Sequence, residues 1–252
     1  MKNNDRCQKY PSVIDVTDSQ RISIVKEIFS TVTARYDFLN HFLSLRRDVA
    51  WRRFAVKRMR FFNTFRFLDV ATGTSDLAIE TALHFPEIQV VGLDFVDLMI
   101  ALGRKKIGGK KLSSRIKMLT GDALHIPFPD NSFDAAGVAF GIRNIPDKTR
   151  SLQEMIRVVV PGGQVLVLEM TSPQSRFFSG IYQIYLEKLL PLLARAFSSN
   201  PEAYYYLGDS IMNFPAPRDF ALLMEKTGLV NVEMHSLTFG ITYLHIGYKP
   251  KW

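Results

Sequence analysis

Apolar runs alternate with helical patterns along the middle of the chain. An apolar run without polar alternation is typical of a strand buried on both faces, and apolar residues three and four positions apart are typical of a helix. Strands are predicted at residues 66–70, 90–94, 116–119, 133–140 and 164–170, with helical patterns between them at 77–83, 97–106 and 152–159. This alternation predicts an α/β fold on a mostly parallel sheet.

The two ends of the chain have different patterns. Residues 1–20 are polar and predict a loose arm, whereas residues 21–62 place apolar residues at helical spacing and predict a helical lid. Residues 63–252 predict the sheet core, with a helical insertion at 174–214 whose apolar face is wide, and two closing strands at the end. The length of 252 residues suits one domain.

The first predicted strand ends in a turn that contains Gly73 and leads to Ser75 and Asp76, which are residue types typical of a helix N-cap. In an open α/β sheet, ligands bind over the carboxyl ends of the strands, so this turn is the expected cofactor site. Asp94 ends the next strand, 21 positions after Gly73, where a carboxylate can accept hydrogen bonds from both hydroxyls of a ribose. The sequence therefore predicts an adenosine cofactor.

The glycine content of the turn favours one adenosine cofactor over another. A dinucleotide loop requires G-x-G-x-x-G, but only Gly73 is present, so a pyrophosphate fits poorly. S-adenosylmethionine has no phosphate, and hydroxyls, backbone groups and Asp69 are suited to its amino acid head. Asp122 follows the third strand, where it can accept the adenine amine. The pattern favours a methyltransferase over a dehydrogenase, and a core strand followed by a solvated turn is the remaining interpretation.

Composition bears on partners and compartment. The hydrophobic content is 47%, the formal net charge is +8, and Cys7 is the single cysteine, so no internal disulfide is possible. The first residues lack the apolar core of a signal peptide, and the apolar region 181–197 contains too many charges and a proline for a membrane span. These features predict a cytoplasmic protein.

The charge of +8 indicates either nucleic acid or an anionic membrane surface as a partner. A basic segment mixes cations with Trp51, Phe54, Phe61 and Phe62, which suits a lipid interface on the inner face of the membrane. An ordinary solvated helix face explains it equally well, and RNA is less favoured because no nucleic-acid motif accompanies it. The cations of the basic segment are Arg46, Arg47, Arg52, Arg53, Lys57, Arg58 and Arg60.

Several motifs resemble one family. They are residues 69–76, 121–131, 140–144, 161–163 and 245–249, and they are similar to the ubiquinone/menaquinone biosynthesis C-methyltransferases, a likeness that spans residues 21–249. The resemblance implies a class I S-adenosylmethionine-dependent fold with a seven-stranded sheet, one strand of which is antiparallel. It also implies methyl transfer to a ring carbon of a polyprenylated quinol. The chain departs from the family at Thr72 and Ser75, where glycines are usual, and at Ala139, where serine is usual.

The resemblance also implies site residues. Gly73 and Thr74 would form the loop contact to the cofactor, Asp94 the ribose ligand, and Asp122 with Ala123 the adenine contact, with Ala139 beside them. Acceptor chemistry adds four catalytic candidates, because an arginine can stabilise a quinol anion, an amide can orient its oxygen, and a base can take a proton. They are Arg143, Asn144, and the base candidates Asp37 and Tyr36, to which His245 is a further alternative.

Other identities remain open at this point. Demethylmenaquinol is the favoured acceptor, a methoxylated benzoquinol or another phenolic or lipid acceptor is the alternative, and a basic nucleic-acid-binding protein is the alternative from another class. No metal is predicted, because His41, His84, His125 and His235 lack ligand spacing. No nucleic acid partner is expected, and a homo-oligomer is compatible with the sequence.

Overall fold

The computed structural model describes residues 9–31, 36–190, 200 and 202–251. The predicted helical insertion at 174–214 is therefore described except for residues 191–199 and 201, and residues 1–8 of the predicted arm lie outside the described residues. At Tyr36 the structure describes the backbone and not the side chain.

One sheet of seven strands forms the centre of the described structure. The strands are β1 (Arg66–Val70), β2 (Gln89–Asp94), β3 (Ile116–Thr120), β4 (Phe133–Ala139), β5 (Val159–Met170), β6 (Val230–Leu237) and β7 (Thr242–Tyr248). Their order is β3-β2-β1-β4-β5-β7-β6, and only β7 is antiparallel to its neighbours. The predicted α/β fold and the sheet that the resemblance implied are confirmed.

Helices cover both faces of the sheet and its carboxyl edge. They are α1 (Asp18–Thr31), α2 (Tyr36–Leu43), α3 (Arg47–Val56), α4 (Asp76–His84), α5 (Asp97–Gly109), α6 (Lys148–Val158), α7 (Arg176–Ile184), α8 (Glu202–Met212) and α9 (Pro217–Lys226). A π-helical turn, Tyr185–Leu189, continues α7. The lid region contains three helices, whereas the apolar periodicity of the sequence predicted two. The sequence did not reveal α3, because this helix is rich in charged residues and shows little apolar periodicity.

The core lies on both faces of the central strands. Phe67 and Leu68 are adjacent on β1, fully buried, and belong to different apolar clusters, because successive side chains on a strand point to opposite faces. β4 is buried along almost its whole length. Burial on both faces explains why these strands appear in the sequence as apolar runs without alternation.

Two segments differ from the expectation. The arm is anchored at two points: Tyr10 and Val13 are buried, and the Val13 N–H donates to Asp209 Oδ2 at 2.7 Å. Pro161–Gly163 does not begin a new strand but forms an irregularity within β5, so that Val159 pairs with Phe133 and Gln164 with Ala135. Gly162 has φ +76°, which favours glycine at that position.

Candidate active site

A cavity of about 800 Å³ lies over the carboxyl ends of the central strands. Its walls include Ala71 after β1, Asp94 at the end of β2 and Ala139 at the end of β4. β1 lies between β2 and β4, so the chain leaves β1 toward one side and returns on the other, and a crevice forms at that point. Lid residues Leu43 and Ser44 and residues of α1, α7 and α8 form further walls.

The turn after β1 forms the floor of one end of this cavity, the cofactor end. The Gly73 N–H donates to Asp94 Oδ2 at 2.8 Å, and the Thr72 N–H donates to the Leu93 carbonyl at 3.0 Å. Gly73 has φ +54°, and a Cβ there would have open space, so its requirement for glycine is one of backbone conformation. These bonds hold the turn against the end of β2.

Asp94 has the environment of a hydrogen-bond acceptor for a ligand. It is 7% exposed, and the Val96 N–H donates to its Oδ1 at 2.9 Å. Burial raises the pKa of its carboxyl, while the backbone N–H groups of Val96 and Gly73 oppose that rise. A carboxylate has about four lone-pair positions. Oδ1 and Oδ2 each accept one of these backbone bonds and can accept a further one, so Asp94 at the cavity wall fits the hydroxyls of an adenosine cofactor.

Asp69 lies mainly beneath the turn and only partly faces the cavity. Its Oδ2 accepts hydrogen bonds from Thr72 Oγ1 at 2.6 Å and from the Ala78 N–H at 3.0 Å, and the residue is 1% exposed. Burial raises the pKa of Asp69 to about 7, although these two bonds lower it. Its observed contribution is to join the turn to α4, and contact with the amino acid head of the cofactor stays a prediction.

Thr74 connects the turn to the lid. Its hydroxyl donates to Asp37 Oδ1 of α2 at 2.6 Å, and Lys106 of α5 pairs with both Asp37 and Asp76. Lys106 therefore joins α5 both to the lid and to the start of α4. Asp37 does not line the cavity. Asp37, which the sequence analysis named as a candidate base, therefore connects the lid to the turn in this structure.

The adenine side is more open. Asp122 follows β3, accepts the Leu124 N–H at 2.8 Å, and keeps more than half of its side chain exposed. Asp122, Ala123 and Ala139 all line the cavity, together with Gly73, Thr74 and Asp94. The structure thus brings all of the predicted cofactor residues to one cavity.

Arg143 also lines the cavity, but it is paired with an acid that the sequence reasoning did not select. Its Nη1 donates to Glu169 Oε1, and its backbone N–H donates to Glu169 Oε2 at 3.2 Å. Glu169 is 1% exposed on β5, and the Met170 N–H donates to it at 2.9 Å. Arg143 Nε is buried without a hydrogen-bond partner. Asn144 is next to Arg143 and lines the same cavity.

The other end of the cavity, the acceptor end, is apolar. α1 contributes Val25, the lid contributes Leu43, and α7 and its π-helical turn contribute Tyr182 and Leu186. Tyr185 Oη donates to the Leu43 carbonyl at 2.9 Å, which joins the π-helical turn to α2. Burial raises the pKa of Tyr182 well above its ordinary value, so this phenol stays neutral at physiological pH. The acceptor end is suited to a large apolar molecule.

Of the two remaining base candidates, the structure describes only the side chain of His245. His245 Nε2 donates to the Pro217 carbonyl at 2.9 Å, and burial lowers the pKa of the ring to about 4. His245 is buried, does not line the cavity, and is a packing residue. The side chain of Tyr36 lies outside the described residues, so its assignment as a base stays a prediction.

One cluster of described residues has metal-ligand types: His41, Asp48 and Asp76 place ligand atoms within 4.8 Å of one another. Cations already neutralise it, because Arg52 lies 2.7 Å from Asp48 and Lys106 pairs with Asp76. We assign no metal to it.

Glu169, like Asp94, is an acid near the end of an apolar run that forms a strand. The same sequence pattern could therefore have predicted Glu169 as a site residue. Lys106, in contrast, has no such signal. Its partner Asp37 is 69 positions away, and their contact depends on how the lid packs against α5.

The sequence matches a family model over residues 14–249, that of the ubiE/COQ5 methyltransferase family. The chain belongs to this family. Among its relatives are the ubiquinone/menaquinone biosynthesis C-methyltransferase UbiE of Geobacter sulfurreducens, 43% identical over 89% of this chain and 88% of that protein. The demethylmenaquinone methyltransferase of Deinococcus radiodurans is 44% identical over 89% of this chain and 92% of that protein.

Solved structures share the fold of this ubiE/COQ5 family member at low identity. Phosphoethanolamine N-methyltransferase 2 of Haemonchus contortus, in complex with S-adenosyl-L-methionine, has a TM-score of 0.61 at 17% identity, over 86% of this chain and 58% of that one. A possible histamine N-methyltransferase of Thermotoga maritima has a TM-score of 0.61 at 20% identity, over 88% and 98% of the two chains. The fold is that of S-adenosylmethionine-dependent methyltransferases.

Proposed function

We propose that this family member transfers a methyl group from S-adenosylmethionine to a ring carbon of demethylmenaquinol. The observation that carries the proposal is one cavity with two chemically different ends. Asp94 and the turn at Gly73 lie at the cofactor end, and Val25, Tyr182 and their neighbours form the acceptor end. The volume of about 800 Å³ is in the range of small-molecule sites. The relatives named as demethylmenaquinone methyltransferases support the choice of acceptor.

The residues of the cofactor end fit the donor. Asp94 would accept the ribose hydroxyls, Asp122 and Ala123 would contact the adenine, and the backbone of Gly73 and Thr74 would border the amino acid head. S-adenosylmethionine supplies a methyl group on a positively charged sulfur, so no metal is invoked. The pocket aligns the reactants and excludes water, and both effects accelerate a transfer between two bound groups.

Arg143 and Asn144 are the proposed contacts to the acceptor. A guanidinium remains protonated, so Arg143 is unsuited as a base, but it can stabilise negative charge on the quinol oxygen. Glu169 neutralises part of that charge and fixes its position. The Asn144 amide would orient the same oxygen. Tyr36 is retained as a candidate base on the chemistry that the acceptor requires.

A polyprenylated acceptor resides in a bilayer, so the proposal includes peripheral contact with a membrane from the cytoplasmic side. None of the helices in the described part of the chain has the length and apolar content needed to cross a bilayer. A methoxylated benzoquinol remains the alternative acceptor, supported by relatives named for both quinones. A homo-oligomer and the expected lack of a nucleic-acid partner stay predictions.

The test measures methyl transfer and cofactor binding separately. Labelled S-adenosylmethionine should transfer its methyl to a reduced demethylnaphthoquinone in preference to a methoxylated benzoquinol. Calorimetry should show that Asp94→Ala weakens S-adenosylmethionine binding by roughly 1 to 3 kcal/mol, through loss of charge-assisted bonds. Asp97→Ala is the matched control, because Asp97 bonds Thr120 and does not line the cavity. Equal affinities of the two variants would contradict the assignment of the cofactor end.

A further inference from the structure

Exposed apolar side chains border the mouth of the cavity. Leu45, Phe178, Ile181 and Phe239 line the cavity and are also exposed to solvent, and we call these four residues the portal rim. The rings of Phe178 and Phe239 stack with centroids 5.3 Å apart, although they come from α7 and from the turn between β6 and β7. The apolar interior of the cavity therefore continues onto the surface.

The two most exposed members of the portal rim lie on strained turns. Leu45 is 82% exposed with φ +51°, and Phe239 is 76% exposed with φ +56°. Left-handed backbone is unfavourable for bulky residues, and exposure of their side chains to water is unfavourable as well. Strain of this kind is concentrated where a segment has a function, and both turns present an apolar side chain outward.

α7 extends the apolar surface. Phe178, Ile181 and Ile184 are exposed at a spacing of three residues, while Tyr182 and Leu186 are buried against the body of the protein. Residues three apart lie on one side of a helix, so α7 has apolar side chains on both its buried and its exposed side. A helix of this kind requires a second apolar neighbour.

Positive charge lies beside the portal rim. Most of the arginines in the basic segment have partners within the protein: Arg52 pairs with Asp48, Arg53 pairs with Glu80, Arg58 stacks on Phe54, and Arg60 lies over Tyr248. Arg46 and Arg47 follow Leu45 directly and are exposed. Within the described residues, neither forms a salt bridge. Arg46 and Arg47 therefore place charge beside the portal rim, and Arg47 lines the cavity itself, while the exposed Lys57 of the same segment follows the end of α3.

We propose that the portal rim, together with Arg46 and Arg47, docks on an anionic lipid bilayer. The four apolar side chains enter the boundary between headgroups and acyl chains, and the two guanidinium groups meet the lipid phosphates. The proposal rests on the proposed function, because a polyprenylated quinol would pass from the bilayer into the acceptor end of the cavity without crossing water. Its tail would remain in the hydrocarbon while its ring reaches Arg143.

Sedimentation with vesicles tests this surface directly. The wild-type protein should bind vesicles of equal parts phosphatidylcholine and phosphatidylglycerol, and the binding should weaken as salt rises. Leu45→Ser combined with Phe239→Ser should reduce binding by about tenfold or more, since two apolar contacts with lipid are lost. The matched control combines Phe62→Ser with Leu83→Ser. Both control residues are exposed, lie outside the cavity, and lie near the amino ends of β1 and β2, and this variant should bind as the wild type does.

The outcomes separate the alternatives. A rim variant that melts as the wild type does and still binds the vesicles overturns the proposal. If the rim variant melts at a lower temperature than the wild type, the double variant Arg46→Gln, Arg47→Gln is tested instead. Vesicle binding equal to that of the wild type by this second variant would also overturn the proposal. A wild-type dimer that the rim variant abolishes would assign the rim to a second copy of the chain and would also overturn it. Transfer by the wild type to a tail-free demethylnaphthoquinol in solution tests the proposed function without any membrane, so the two can fail independently.

Discussion

At the scale of single residues, Asp69 makes stability depend on pH. Burial raises the pKa of this acid from 3.8 to about 7. The unfolded chain therefore loses the proton at lower pH than the folded protein does, so the free energy of unfolding falls as pH rises from about 4 to 7 and stays low above.

Asp69→Asn removes this titration and retains an oxygen that can accept from Thr72 and Ala78. We expect the variant to be more stable than the wild type at pH 8 by roughly 1 to 3 kcal/mol and to show a smaller pH slope. Denaturant unfolding at several pH values measures both quantities. Asp97→Asn, at an exposed acid, is the control, and a slope for Asp69→Asn equal to that of the wild type would contradict the raised pKa.

Arg143 has a structural role besides its proposed contact with the acceptor, because it neutralises buried Glu169. Arg143→Met leaves that carboxylate without its cation, which should destabilise the protein by roughly 3 to 5 kcal/mol. Adding Glu169→Gln removes the unpaired charge and should recover most of the melting temperature. The rate of methyl transfer should be about 100-fold lower than that of the wild type in both variants, because each lacks one preorganised hydrogen-bond donor. If the double variant transfers methyl at the wild-type rate, Arg143 does not touch the acceptor.

At the scale of elements, the start of α4 differs from the predicted cap. Ser75 is the N-cap, but its side chain makes no capping bond and instead donates to Met118 Sδ at 3.1 Å. Its φ of +72° fits the glycine that the family resemblance led us to expect here, since glycine adopts this conformation without strain. The sequence pattern located the helix start but could not reveal the backbone conformation there.

Ser75→Gly should therefore stabilise the protein by about 1 kcal/mol and raise the melting temperature by about 2 to 4 °C. Ser75→Ala is the control, since it keeps the Cβ and the strain and loses the bond to Met118. Calorimetric melting compares the two variants. A glycine variant that melts below the alanine variant would show that the bond to Met118 outweighs the strain.

Elements and their contacts differ in how far the sequence predicts them. Strands such as β1 and β4 were predicted to within a residue, because burial on both faces leaves an apolar run in the sequence. Asp94 was also predicted, because it ends the apolar run that forms β2. The ion pairs of Arg143 and Lys106 were not predicted, because each joins elements far apart in the sequence and leaves no local pattern.

At the scale of the whole molecule, the positive charge had to be reassigned. The sequence left two equal interpretations of the basic segment, a lipid interface and a solvated helix face, and the fold pairs Arg52 and Arg53 with acids of the protein itself. Net charge describes a tendency to approach an anionic surface, whereas the folded arrangement determines which cations remain available.

The two ends of the cavity come from different parts of the molecule, and this division bears on how such enzymes diversify. The sheet and its turns supply the cofactor end, while α1, the lid and α7 supply the acceptor end. Apolar side chains of α1 and α7 can be substituted without removing a hydrogen bond of Asp94 or Gly73, whereas α2 contacts the same turn through Asp37 and Thr74. A change of acceptor specificity is therefore expected from substitutions in α1 and α7, with the strand-end turns of the sheet left as they are.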